Sequence, residues 1–361
     1  MIIIKPDYYD HFVCLGGQCP NTCCGNWEIG IDEDSLTRYA SLKGDFGREV
    51  RNSVDWMEEC FLQDDYRCRL LTEDGLCGLQ AHFGEEYLCE TCRTYPRHVE
   101  EFEGRREYTL AVSCPEAARL VLEKGLGKIL MEETSEEDPY EYEDFDQAYF
   151  AQLLKLREQL VSTGKEPADA VHKVSVNVTV QSAPRICCEV REKEDEQPMP
   201  GALSLRRKEP ATKHLPHIRI PVISRNYEER KRLMEYLLTF DEIDHRWKSH
   251  LRETISHLYG DGKEAYERKV RCHPVNVRWL RNLRDYFVWV YLPGAIYDGD
   301  AEGKLRMAAF FTAVMEEMLT AEQYGTGEED LEKAALVVSR VAREMEHSDR
   351  NLERMESVVW L

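Results

Sequence analysis

Residues 12–32 read FVCLGGQCPNTCCGNWEIGID, which places Cys14, Cys19, Cys23 and Cys24 on one short stretch rich in glycine. A second group follows at Cys68, Cys77, Cys89 and Cys92, and ten of the 13 cysteines fall before residue 115. Thiols oxidise readily, so this crowding marks sulfurs kept as ligands or redox groups rather than as small buried hydrophobes. Deprotonated sulfur is a strong, polarisable donor, and four such groups hold Zn²⁺ or a [4Fe–4S] cluster. In Cys89-Glu90-Thr91-Cys92 the spacing lets both sulfurs converge on one metal, and Cys19 and Cys23 can do the same. Adjacent Cys23 and Cys24 are expected to project apart, one ligating and the other supporting. Zinc and iron–sulfur both remain open at this point. His11, His82 and His98 lie near enough in sequence to suit zinc, whereas Cys187, Cys188 and Cys272 are remote and read as structural.

Working outward, the first 125 residues are broken by glycines and predict short helices and turns. Asp34 and Ser35 are expected to cap a helix carrying Leu36, Tyr39 and Leu42, and Ser113-Cys114-Pro115-Glu116 reads as another helix start. Acidic residues crowd 132–146 and predict a solvated connector, followed by a helix over 150–161. Alternating valines at 174–180 predict a strand in a mixed, proline-bearing region. Beyond residue 226 the periodicity is helical over 230–240, 244–258, 277–292, 305–319 and 330–345. Leu305, Ala308, Phe311, Met315 and Met318 form one apolar stripe that reads as core. The expected fold is therefore mainly α, with an irregular Cys-rich N-terminal metal-binding region and a small β element in the middle. Its divisions are a metal-cluster region over 1–125, a connector over 126–225 and a helical domain over 226–361.

Bulk properties narrow the function. Acidic residues number 68 against 47 basic ones, a net charge of −21, which argues against a general nucleic-acid binder. The longest apolar stretch, 286–297, contains Pro293-Gly294 and falls well short of the ~20 residues of a membrane helix. Three isoleucines before Lys5-Pro6 are far too few for a signal-peptide core, so a reducing cytoplasm is expected, where clustered cysteines favour metal over disulfides. Gly125-Leu126-Gly127 follows a helical stretch and lacks the further glycine of a dinucleotide fingerprint, and no phosphate-cradling loop is present. Asn26 stands where a third cysteine would complete the C-x3-C-x2-C spacing of radical enzymes that cleave S-adenosylmethionine.

The set formed by residues 12–32, Asp74-Gly75-Leu76-Cys77-Gly78-Leu79-Gln80, Leu88-Cys89-Glu90-Thr91-Cys92-Arg93-Thr94-Tyr95-Pro96-Arg97 and Ser113-Cys114-Pro115-Glu116-Ala117-Ala118-Arg119 resembles the flagellin lysine N-methylase family. That resemblance implies a cytoplasmic enzyme that moves methyl groups from S-adenosylmethionine to surface lysines of flagellin and carries a cysteine-bound [4Fe–4S] cluster. By position, it implies cluster ligands among Cys14, Cys19, Cys23, Cys24, Cys68, Cys77, Cys89, Cys92 and Cys114. Cys68 is followed by Arg69-Leu70-Leu71 where the family usually has Phe-Leu. A lysine amine must lose a proton before it attacks a methyl group, which makes Tyr95, Glu116 and Asp32 the candidate proton-handling residues. Arg93, Arg97 and Arg119 are candidates to hold the donor's carboxylate or to balance the thiolate charge. Two other readings fit the cysteines: a non-catalytic protein-binding adaptor stapled by zinc, and an iron–sulfur redox protein.

Overall fold

The computed structural model describes residues 1–135, 145–162, 224–327 and 329–358. The valine-alternating stretch at 174–180, Cys187 and Cys188 lie outside the described residues.

In the Cys-rich region, strand β1 (Ile2–Pro6) is followed by helices α1 (Glu33–Ser41) and α2 (Gly44–Asn52). Two tight hairpins come next, β2 (Val54–Asp55) with β3 (Cys60–Phe61) and β4 (Gln63–Asp64) with β5 (Arg67–Cys68). Short helices α3 (Gly78–Phe83) and α4 (Glu90–Thr94) lead into β6 (Arg97–Phe102), β7 (Arg105–Leu110), α5 (Pro115–Lys124) and β8 (Ile129–Glu133). Asp32, rather than Asp34 or Ser35, caps α1: its Oδ1 accepts the Ser35 N–H at 2.9 Å. The cap must precede the N–H it accepts by about three residues, and only Asp32 stands at that offset with extended backbone. Pro115 opens α5 as the sequence predicts.

A four-stranded sheet of order β6-β7-β1-β8 draws its strands from residues 2–133, where the sequence predicts short helices and turns. β6 and β7 form an antiparallel hairpin through Glu103-Gly104, with Gly104 at φ +67°. β1 then pairs parallel with β7 and antiparallel with β8, so the sheet spans the 125/126 division.

The remaining described elements are helical: α6 (Gln147–Ser162), α7 (Tyr227–Leu237), α8 (Trp247–Tyr259), α9 (Lys263–Cys272), α10 (Val277–Tyr291), α11 (Ala295–Asp298), α12 (Ala301–Thr326), α13 (Leu331–Glu346) and α14 (Asp349–Glu356). The stripe Leu305, Ala308, Phe311, Met315 and Met318 is buried, and Met307, Phe310 and Val314 on the other side of α12 are buried too. A helix apolar all round belongs at the centre, and α12 packs against α10, α13 and α14. One continuous core joins these helices to Ile4, Phe102 and α5. Arg157 of α6 is locked inside it: it pairs with Glu107 of β7 at 2.6 Å and lies 3.7 Å over the Trp289 ring of α10. The Cys-rich residues keep a smaller core of their own, including Ile29, Tyr39, Val50, Phe61 and Leu79.

Candidate functional site: two cavities with a common wall

Close backbone contacts bring the cysteine loops together. A Cβ on Gly17 would fall 2.4 Å from the Asp74 carbonyl oxygen, and one on Gly25 would fall 2.6 Å from that of Tyr66, so both positions require glycine. The Cys68 N–H donates to the Cys24 carbonyl at 2.8 Å, seating the first loop on the second. Cys77, Cys89 and Cys114 each occupy the cap position of a helix, α3, α4 and α5.

Seven of the nine candidate cysteines, Cys14, Cys19, Cys23, Cys24, Cys77, Cys92 and Cys114, line one cavity of about 430 Å³. Cys23 and Cys24 both face it, against the expectation that they project apart; their backbone is neither helix nor strand, and Asn26 just beyond has φ +63°. A hydrogen bond from the Cys23 thiol draws the Cys24 thiol down to about 7 and pushes its own up. Burial raises the Cys114 thiol to about 11. Cys68 and Cys89 stand behind the lining: Cys68 is on β5, and fully buried Cys89 points its thiol at the Gly30 carbonyl, 3.8 Å away. None of His11, His82 or His98 lines this cavity. Among the described residues no three His, Cys, Asp or Glu side chains converge as a site for a single metal ion. The thiols instead surround a space, and seven soft donors around one void fit a multi-iron group in donor chemistry.

A larger cavity of about 940 Å³ lies against the first. Its walls carry the carboxylates Asp32, Glu58, Glu59, Glu90, Glu100 and Glu346 together with Trp27, Tyr95, Tyr286 and Tyr291. Trp27, Thr91, Tyr95, Pro96 and Arg97 line both cavities. Trp27 is the wedge between them: its Nε1 donates to the Cys23 carbonyl at 2.6 Å, and its ring meets Tyr95 at 5.6 Å and His347 at 4.6 Å. Ser113 Oγ lies 3.1 Å from the Tyr95 hydroxyl and 2.9 Å from His347 Nε2. Burial and the Arg343 charge push His347 down to about 4, so its imidazole is neutral near pH 7. Burial also drives the Tyr95 phenol above its ordinary range.

The sequence-derived candidates divide accordingly. Tyr95 and Arg97 stand on the common wall, Arg93 on the cysteine cavity and Asp32 on the acidic one. Burial opposes ionisation of Asp32, but the backbone N–H groups of Glu90, at 2.8 Å, and Ser35 outweigh it and hold the carboxyl low. Glu116 and Arg119 lie outside both cavities, paired with each other at 2.7 Å on α5. His98 pairs with Glu100 at 2.7 Å in the acidic cavity.

Sequence reasoning missed Trp27, Arg343, Glu346 and His347. The last three end α13, more than 300 residues from the cysteine loop they serve, and no local pattern announces them. Buried Arg343 donates to the Asn21 and Thr22 carbonyls, each at 3.0 Å, and to that of Ser113 at 3.4 Å. It thereby ties the C-terminal helices to the cysteine loop.

The C-terminal elements around these cavities have known relatives. Residues 212–359 match the family model of the FliB lysine N-methylase C-terminal domain. The matched segment supplies Tyr286, Tyr291, Glu346 and His347 to the acidic cavity and Arg343 to the back of the cysteine loop, and the Cys-rich region supplies the thiols. The chain is similar to the Lysine-N-methylase of Salmonella choleraesuis, 27% identical over 141 residues, or 37% of this chain and 35% of that protein. It is 26% identical over 141 residues to the Lysine-N-methylase of Salmonella typhimurium, again 37% of this chain and 35% of the relative. With the Flagellar biosynthetic protein FliU of Salmonella muenchen it shares 27% identity over 129 residues, 33% of this chain and 76% of FliU. The match thus spans about a third of the length of the lysine N-methylases. No solved structure matches. No helix among the described residues is long and apolar enough to cross a membrane.

Proposed function

We propose that this protein is a protein-lysine N-methyltransferase that takes methyl groups from S-adenosylmethionine, acts on flagellin, works in the cytoplasm and carries a cysteine-held [4Fe–4S] cluster. The observation that carries the reading is the wall of Trp27, Thr91, Tyr95, Pro96 and Arg97, which separates a thiol-lined cavity from an acidic, aromatic one. A lysine side chain is a long apolar stem ending in an ammonium. Aromatic faces and carboxylates are what recognise it.

The ligands of the cluster would come from Cys14, Cys19, Cys23, Cys24, Cys77, Cys92 and Cys114. When bound, such a cluster supplies redox-active iron and a cross-link between the loops. Arg93 and Arg97 make no ion pair among the described residues and offer guanidinium forks for the carboxylate of the methyl donor. Tyr95, kept neutral by burial and bonded to Ser113, positions groups on the common wall and is a poor base. Asp32 has both carboxyl oxygens taken by backbone N–H groups, which suits it to attract the ammonium through space. The names of the relatives, lysine methylation in two and flagellar biosynthesis in a third, support the lysine and flagellin parts of the reading.

The test is incubation of the anaerobically purified full chain with S-adenosylmethionine and flagellin, followed by mass spectrometry and by iron and acid-labile sulfide analysis. Methylated lysines, and iron and sulfide in near-equal amounts, are expected. Iron-loaded protein that leaves flagellin unmodified overturns the reading.

A further inference from the structure

Six carboxylates line the acidic cavity, and five have evident occupations. Glu58, Glu59 and Glu90 are exposed, Asp32 accepts two backbone N–H groups, and Glu100 pairs with His98. Glu346, the last residue of α13, is different. Its Oε1 accepts the Tyr291 hydroxyl at 2.6 Å. Its Oε2 is shielded from solvent and makes no hydrogen bond among the described residues. A buried carboxylate oxygen without a donor is expensive to maintain, and on a residue that lines a cavity it marks the place of a donor that comes and goes.

We propose that Glu346 binds the ammonium of the incoming lysine through Oε2 and then takes its proton, with Tyr291 positioning the carboxyl. This rests on the methyl-transfer reading above. An Nζ–H bond breaks toward Oε2 and leaves a neutral amine. The nitrogen lone pair then forms the N–CH3 bond as the S–CH3 bond of the sulfonium donor breaks, with that electron pair going to sulfur. The products are a methylated ammonium, a thioether and protonated Glu346, which releases its proton to solvent when the cavity reopens.

The surroundings tune the carboxyl for that exchange. It faces His98 and Glu100 from β6 and Tyr286 and Tyr291 from α10, with His347 beside it at the end of α13. Burial pushes it up to about 7, tempered by the Tyr291 hydrogen bond and the His98 charge. A proton acceptor works best when its pKa lies near the working pH.

Two arms test this on the full chain. In the first, calorimetric titration with Nα-acetyl-lysine amide should show binding that weakens as pH falls through about 7. Glu346→Gln should bind about tenfold or more weakly, without that pH step. In the second, methyl transfer to flagellin should drop by roughly 10²–10⁴ in Glu346→Gln, with partial recovery in Glu346→Asp. Tyr291→Phe removes a hydrogen bond that favours the ionised carboxyl, so the acidic limb of its kcat/KM profile should move to higher pH, a shift no purely structural role produces. Unchanged amide affinity in Glu346→Gln, or an unmoved limb in Tyr291→Phe, overturns the proposal. Glu346-dependent amide binding by a wild-type protein that transfers no methyl group overturns the methyl-transfer reading and the proton role, and leaves an ammonium site.

Discussion

The two halves of this molecule are held together by different physics. The C-terminal half is built from long helices around a shared apolar core, and α12 runs 26 residues with buried side chains on every side. The Cys-rich region has helices of five to ten residues, two-residue strands and every non-glycine residue at positive φ that the structure describes: Asn26, Glu59, Asp65 and Tyr66. Its loops meet backbone to backbone at Gly17 and Gly25. Burial stabilises the first half by itself, whereas the second depends on turns, close approaches and, in the proposed function, on metal. The comparison teaches where the thiols are lodged: the sulfurs sit on the irregular half, and the rigid half reaches across through Arg343 to hold their loop.

The largest expected effect probes the rigid half. Arg157→Ala leaves buried Glu107 charged with only the less buried Arg105 as partner, and should cost about 3–5 kcal/mol in denaturant unfolding. Equal destabilisation of wild type and variant by low pH would show that Glu107 is not the stranded charge.

Next comes the junction. Arg343→Ala removes the donors that clamp Asn21, Thr22 and Ser113, and should cost roughly 2–4 kcal/mol. Proteolysis should then open the cysteine loop well before the helices. Simultaneous cleavage of both halves would instead make them one cooperative unit.

A third effect has the opposite sign. Because burial raises Glu346 to about 7, the folded state binds its proton more tightly than the unfolded chain does. Stability is therefore lost as pH rises from the ordinary carboxylate range through about 7, and the full cost is present above it. Glu346→Gln should be more stable than wild type at alkaline pH by about 1–3 kcal/mol, a gain that vanishes in mild acid. Thermal melts across that range will show the two curves converge or, if the carboxyl titrates normally, run parallel.

The smallest effect concerns α5. Arg119→Ala breaks partly exposed pairs with Glu116 and Glu123 and should change stability by about 1 kcal/mol or less, with methyl transfer to flagellin unaltered. A large fall in transfer would return Glu116 and Arg119 to the site.

The helices at 277–292, 305–319 and 330–345 were legible because their apolar residues recur at helical intervals. The sheet was not. β6 and β7 are dense in charge, without strict alternation, and β1 finds its partner β7 about a hundred residues away. Similarly, Asp34 and Ser35 look as good a cap as Asp32 until the backbone shows which residue is extended.

By itself, the sequence determined that the sulfurs crowd one end and that the other end is helical. Those are matters of composition, period and short spacing, which a chain carries wherever it goes. Only the tertiary structure decided that Cys23 and Cys24 face one space, that Glu116 and Arg119 satisfy each other elsewhere, that Arg343 meets the cysteine loop, and that Glu346 and His347 line the acidic cavity. Those depend on which distant surfaces meet when the core closes, and burial, unlike spacing, is a property of the whole fold.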